Sequence, residues 1–309
     1  MAVTTSKTLN QSGYGASRVG LQHWIRIEAD QSTTALRLVN TENTDQDFIV
    51  DKQISDFGYP QQTNEGAASY LDNKVNLYTG TVTPVEYTLM FALTNKALFT
   101  DQYNVFDTYK EDIKDAFVDL RSLSIMNLFN NGFSASYTGF DAVALFSTAH
   151  PYQSYPTWSN RGDANGVDMN LSYDNVAKAR TQMRKVKTAR QRPTRFRNGV
   201  ILLLPPDLEY KGLAIEKSST RPDTANRETN VVTAGGLRCH IEEDLSSTTA
   251  WFLLDQNIKK TGLTHLKQMP LKMYEGEWDP KTRSKYISFS ESFADYWKKA
   301  HRTWGTTGA

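Results

Sequence analysis

Asn127-Leu-Phe-Asn-Asn-Gly-Phe133, followed by Gly139-Phe-Asp-Ala-Val-Ala-Leu-Phe-Ser-Thr-Ala-His-Pro151, closes a stretch that begins at Asp101 and decides how this chain folds. Ahead of it, Phe106, Tyr109, Ile113, Ala116, Phe117, Leu120, Leu123 and Met126 recur in steps of three and four. That spacing predicts one amphipathic helix over 101–130. Thirty helical residues span roughly 45 Å at about 1.5 Å each, long for a single globular domain.

The bulk numbers set limits on the rest. The chain has 309 residues, 39% hydrophobic and 22% charged, which fits an ordered globular protein with a sizeable core. Lys and Arg number 35 against 34 Asp and Glu, a formal charge of +1. Tight nucleic-acid binders carry a basic excess, because phosphate neutralisation dominates their affinity. A single cysteine, Cys239, excludes an internal disulfide and a cysteine zinc cluster, and suits a reducing compartment. The first residues lack the apolar core of a signal peptide, and no window approaches a membrane span.

Outward from the helix, residues 1–45 are polar and glycine-bearing, with one apolar patch at Trp24, Ile25 and Ile27. They read as an arm that docks on another surface. Val85, Tyr87, Leu89, Phe91 and Leu93 alternate with Glu86, Thr88, Met90, Ala92 and Thr94, the period of a strand. With a weaker strand over 68–78 and Thr79-Gly80-Thr81 as a turn, residues 66–94 are expected to form a β-hairpin. Such a hairpin is marginal alone in water and needs a surface to lie on.

Further along, Ser172 is expected to cap a helix over 172–190, with Val176, Ala179, Met183 and Val186 on its buried face. Val200–Leu204 and Ala250–Leu254 read as buried strands flanking a helix over 208–215. Strands are expected again over 266–278 and 285–293, joined by a turn at Asp279–Arg283. The class is therefore α+β.

Tests for chemistry find little. Ser147 and His150 lie close, but no Gly-x-Ser-x-Gly elbow or orienting acid accompanies them. The five histidines are scattered, and no phosphate-cradling glycine loop is present, so no catalytic, cofactor or metal residue is expected. Residues 178–197 hold nine basic side chains and no acid. Pairing with an acidic patch such as Glu242-Glu243-Asp244, in the same or a neighbouring subunit, is preferred over a solvated face or DNA contact.

The quoted text of 101–151 resembles the major capsid proteins of tailed double-stranded DNA bacteriophages, in particular the Mu-like major head subunit family. Asn230-Val-Val-Thr-Ala-Gly-Gly-Leu237 and Trp251-Phe-Leu-Leu-Asp255 extend the likeness, which covers about 65–305. One departure is Ala142, where the family usually has glycine. The resemblance implies the Hong Kong 97 capsid fold: an N-terminal arm over 1–45 and an extended β-hairpin, the E-loop, with its flanks over 46–97. A peripheral domain with the spine helix follows over 98–165, then an axial domain over 166–265 and the peripheral domain's C-terminal strands over 266–309.

It also implies a structural role, with no enzyme activity: self-assembly into pentamers and hexamers of an icosahedral shell around double-stranded DNA. Partners would be further copies, portal and scaffold proteins, a decoration protein, and packaged DNA through weak contact, with no membrane. The site would be the virion, assembled in the host cytoplasm. Candidate inter-subunit contacts are Trp24, Ile25, Ile27, Tyr70, Lys74, Tyr78, Val85, Tyr87, Arg184, Lys185, Arg190, Glu242 and Glu243. Lys74 is the one lysine considered for a covalent cross-link, and no acceptor is marked for it. The rival readings are a hydrolase using Ser147 or His150 and a nucleic-acid-binding module centred on 178–197.

Overall fold

A computed structural model describes residues 33–94, 105–152, 156–196, 199–222 and 228–308. Two four-stranded sheets share one long helix. Strand β1 (Asn40–Asn43) pairs in parallel with β8 (Leu263–Asp279), which forms an antiparallel hairpin with β9 (Ser284–Trp297). Strand β4 (Val85–Thr94) completes this sheet along β9, from Val85 opposite Phe293 to Thr94 opposite Ser284. The turn between β8 and β9 is the expected one. The Asp279 carboxylate accepts from the Lys281 amide at 2.9 Å and the Thr282 hydroxyl at 2.7 Å, and Arg283 takes φ 50°.

The second sheet runs β10-β7-β5-β6, from β5 (Val200–Leu204), β6 (Leu237–Ile241), β7 (Trp251–Asp255) and β10 (Thr303–Thr306). Helices α2 (Tyr173–Lys185), α3 (Glu209–Lys217) and α4 (Val231–Ala234) cover it. Val176, Ala179 and Met183 of α2 meet Leu202, Leu204, Ile215, Trp251, Leu253 and Trp304 in its core. Ser172 caps α2, accepting from the Asn175 amide. The helix ends at Lys185 rather than near 190. Val186 turns extended (ψ 132°) and stays buried, and Gln191 at φ 58° reverses the chain so that the Thr194 amide reaches the Val186 carbonyl.

The long helix, α1 (Val105–Asn130), joins the two halves. Its first part packs Ile113 and Phe117 on Leu271 and Phe289 of the first sheet. Its last part sends Ile125, Met126, Leu128 and Phe129 into a core with Leu145, Phe146, Phe252, Leu254 and Trp297. The expected stripe is right at 113, 117, 120 and 126, and Tyr109 packs edge-on against Phe91 of β4 at 5.5 Å, but Leu123 is 47% exposed and Ala116 also faces outward. In their place the helix buries Arg121 completely. Its guanidinium meets Glu291 of β9 with Nε–Oε2 2.9 Å and Nη2–Oε1 2.8 Å, and the Lys267 ammonium stands 3.6 Å from the same carboxylate.

The hairpin expected over 66–94 does not form. Strand β3 (Asn76–Val82) pairs antiparallel with β2 (Ile49–Ile54) instead, and β4 turns away to β9. Residues 55–75 connect β2 to β3 without strand structure. Thr79-Gly80-Thr81 lies inside β3 rather than at a turn. Gly80 is required there because Phe140 packs on it, and an added Cβ would stand 2.1 Å from the ring. The ribbon β2–β3 leaves the body where Ile49 and Val82 pack with Phe140, Leu266 and Tyr296. The final strand also differs from the expected grouping of 266–309: Thr303–Thr306 hydrogen-bonds to Trp251–Leu254 of the second sheet.

Candidate assembly surfaces

The ribbon carries far more apolar surface than it covers. Phe48, Val50, Ile54, Phe57, Tyr59, Tyr70, Leu71 and Val75 are all between 46% and 80% exposed, Leu71 the most. They make up eight of the seventeen large apolar side chains found exposed among the described residues. A run of apolar groups concentrated on one projection marks an interaction surface, whereas single ones elsewhere need no account. At roughly 1.5–3 kcal/mol for complete burial of each such side chain, a partner covering even half of them supplies substantial binding energy.

The sequence candidates divide here. Tyr70 (50% exposed) and Val85 (53%) lie open, as expected of contact residues. Tyr87 stacks on Phe293 of its own chain at 4.8 Å, and the Tyr78 hydroxyl donates to the Pro151 carbonyl at 3.2 Å. Lys74 stands over the Phe57 ring at 5.1 Å. Trp24, Ile25 and Ile27 lie outside the described residues. Phe48, Val50 and Leu71, all exposed on the ribbon, were not among the sequence candidates. Only the polar neighbours of Leu71, in Ser-Tyr-Leu-Asp, hinted that it would have no cover.

Among the described residues the basic run finds partners other than Glu242-Glu243-Asp244. Arg180 donates to the Val232 and Gly235 carbonyls, Arg190 to the Asn73 carbonyl with Asp72 at 3.4 Å, and Arg192 to the Phe57 carbonyl. The last two tie the connecting segment of the ribbon to the body. Arg184 and Lys185 are exposed in the last turn of α2, where positive charge suits the helix dipole. Glu242 does not serve as their partner within the chain. It is 5% exposed, accepting from Thr34 Oγ1 at 2.7 Å and facing His240 Nε2 at 2.6 Å, while Glu243 is exposed.

The loop 139–151 is a structural joint. His150 is fully buried, with Nδ1 2.7 Å from Asp141 Oδ2 and Nε2 3.1 Å from Asn160 Oδ1. Asn160 Oδ1 is fixed as the acceptor because its Nδ2 donates to the Leu145 carbonyl. Both ring nitrogens are therefore committed away from Ser147, whose Oγ accepts from the Ala149 amide. Among the described residues Ser147 thus has no hydrogen bond to the His150 ring. Ala142, in the position of the family's usual glycine, adopts φ 58°, the left-handed region that favours glycine. Cys239 is partly buried, and burial with Glu216 nearby pushes its thiol up to about 12, which makes it unreactive at neutral pH. Among the described residues no cluster of potential metal ligands occurs, and no helix is long and apolar enough to cross a membrane.

The sequence matches the family described as "Phage capsid protein" over residues 78–290. No curated protein matches significantly. Among solved structures the fold resembles the capsid of Ralstonia phage GP4, with TM-score 0.55, 11% identity, and 87% of this chain and 86% of that one covered. It also resembles the capsid of a native GTA particle (0.55, 13%, 90% and 91%). A virus-like particle from Pyrococcus furiosus is similar too (0.53, 11%, 93% and 98%).

Proposed function

Because the chain belongs to the phage capsid protein family, it is a major capsid protein of an icosahedral virion shell, and we propose that it assembles there as pentamers and hexamers. The observation that carries this is the apolar ribbon: β2–β3 and residues 55–75 present side chains that no other described residue covers. A neighbouring copy is the natural cover, since ring-closing assembly repeats one heterologous contact around the axis. In this reading the ribbon is the E-loop, α1 the spine helix, the first sheet the peripheral domain and the second the axial domain. Tyr70, Leu71 and Val85 bury on the adjacent subunit, with the arm carrying Trp24, Ile25 and Ile27 doing the same. Arg184 and Lys185 pair with exposed acids such as Glu243 of a neighbour. The role is structural, without catalysis.

The shell is filled with double-stranded DNA in the host cytoplasm, alongside portal and scaffold proteins. A wall of near-zero net charge holds the genome only weakly. Replacing residues 57–73 with a short Gly-Ser turn, which spares both ribbon strands, tests the reading. The variant should keep its circular dichroism spectrum yet yield free subunits or capsomers, not shells, in negative-stain images. Normal shells from it would overturn the proposal.

A further inference from the structure

Between the base of the ribbon, the turn after α2 and the segment leading into β10 lies a recess of about 480 Å³. That is the size of a small-molecule site, typically about 300–1,000 Å³. Arg192, Arg195, Lys260, Lys299 and Arg302 line it against one carboxylate, Asp56. Two of the five cations are engaged. Arg192 holds the Phe57 carbonyl, and Arg302 pairs with Asp255 and lies over the Phe196 ring. Arg195, Lys260 and Lys299 have no side-chain hydrogen bond or ion pair among the described residues, and Asp56 acts on Lys299 only at longer range.

Polar groups without a partner share the same wall. The Thr188 hydroxyl and both ring nitrogens of His301 are buried without a hydrogen-bond partner among the described residues. His301 is fixed by stacking on Trp158 at 4.4 Å, which in turn stacks on His150 at 4.5 Å. Burial, and then the charge of Lys299, push its pKa down to about 3. Concentrated positive potential in a concave site recruits anions, and buried polar groups call for partners.

We propose that this recess binds a multivalent phosphate anion, either free polyphosphate or the phosphate tail of a nucleotide. Arg195, Lys260 and Lys299 would supply the charge, and His301 and Thr188 the hydrogen bonds. One carboxylate neutralises too little for three free cations, and a DNA duplex is too broad to enter, so its phosphates reach only the rim. The bound anion would join the 188–195 turn to Lys260 and the 299–302 segment. The inference stands apart from the shell reading.

Calorimetric titration of sodium tripolyphosphate into the full-length chain at moderate salt is the test. It should show one saturable site per subunit. Changing Arg195→Gln with Lys260→Gln should weaken it about tenfold or more, because charged hydrogen bonds are lost. Lys178→Gln with Lys211→Gln, on the exposed faces of α2 and α3, should leave it nearly unchanged. In parallel, the ring NMR signals of His301, assigned through His301→Asn, should shift on adding tripolyphosphate to the wild type. Absence of saturable binding overturns the proposal. So do an unchanged affinity in the Arg195/Lys260 variant, displacement of the anion by a short DNA duplex, and unmoved His301 signals. The last needs no variant of the charged residues, so it decides even if the Arg195/Lys260 variant fails to fold.

Discussion

Changing Arg121→Met would leave Glu291 as a buried charge with its main partner gone. Both residues are fully buried, and Arg121 reaches the carboxylate through Nε at 2.9 Å and Nη2 at 2.8 Å. Removing one member of such a pair costs about 3–5 kcal/mol, because the other keeps its desolvation penalty without compensation. Unfolding entropy of about 2.1 cal/mol/K per residue over 309 residues gives about 0.65 kcal/mol/K, so the melting temperature should fall by about 5–8 °C. Calorimetry on unassembled subunits is the right assay, since shell contacts would add stability of their own. The double change Arg121→Met with Glu291→Met should recover most of the loss, because two apolar groups of similar volume replace the pair. Lys267, whose side chain is 14% exposed, can then turn towards water. A single variant within about 1 kcal/mol of wild type, or a double variant that merely adds the two single losses, would refute the reasoning.

Three further outcomes are expected. Ala142→Gly should stabilise the chain by about 1 kcal/mol in urea titration, because φ 58° costs alanine energy that glycine does not incur. A loss of stability would show that the loop tolerates the alanine without strain. Gly80→Ala should destabilise by about 1–3 kcal/mol through the collision with Phe140, and Phe140→Leu in the same chain should restore part of it. For Asp168, burial raises the carboxyl pKa, but hydrogen bonds from Arg161 and Thr307 outweigh it and hold the group at about 2. A depressed folded value adds stability above the ordinary carboxylate pKa of about 4, and that stability is lost as pH falls through the folded one. The gap between wild type and Asp168→Asn, about 1 kcal/mol at pH 7 once solvent screening is allowed for, should close between about pH 4 and pH 2. A constant gap across that window would contradict the assignment.

What could be read from the sequence was local. The core of α1 at 113, 117 and 126, the Ser172 cap, the Asp279–Arg283 turn and the strands at 200–204 and 251–255 each rest on a few neighbouring residues whose spacing or cap chemistry suffices. Pairing was not local. Strand β4 looked like half of a hairpin because alternation says that a strand exists, not which strand lies beside it, and its partner is some 190 residues away. Gly80 carries the letter of a turn but the function of a close approach. Arg121 stands outside the apolar stripe of α1, and the acid that neutralises it is 170 residues downstream. Among the candidate contacts, Tyr70 and Val85 are exposed, while Tyr78 and Tyr87, in the same strand-like text, turn inward. Alternation assigns two faces but does not say which is covered.

The wide separation of paired strands also sets a clock on the ribosome. Asn40 must wait for Thr264 before β1 has a neighbour, and β4 must wait for β9. At roughly 5–20 residues per second that delay is about 10–45 s, during which β4 presents a long unpaired edge carrying Leu89 and Phe91. The short ribbon closes within its own 34 residues and can form much earlier. Each nascent subunit thus displays its apolar projection well before the sheet that carries the body is complete, a stage at which exposed apolar surface favours aggregation.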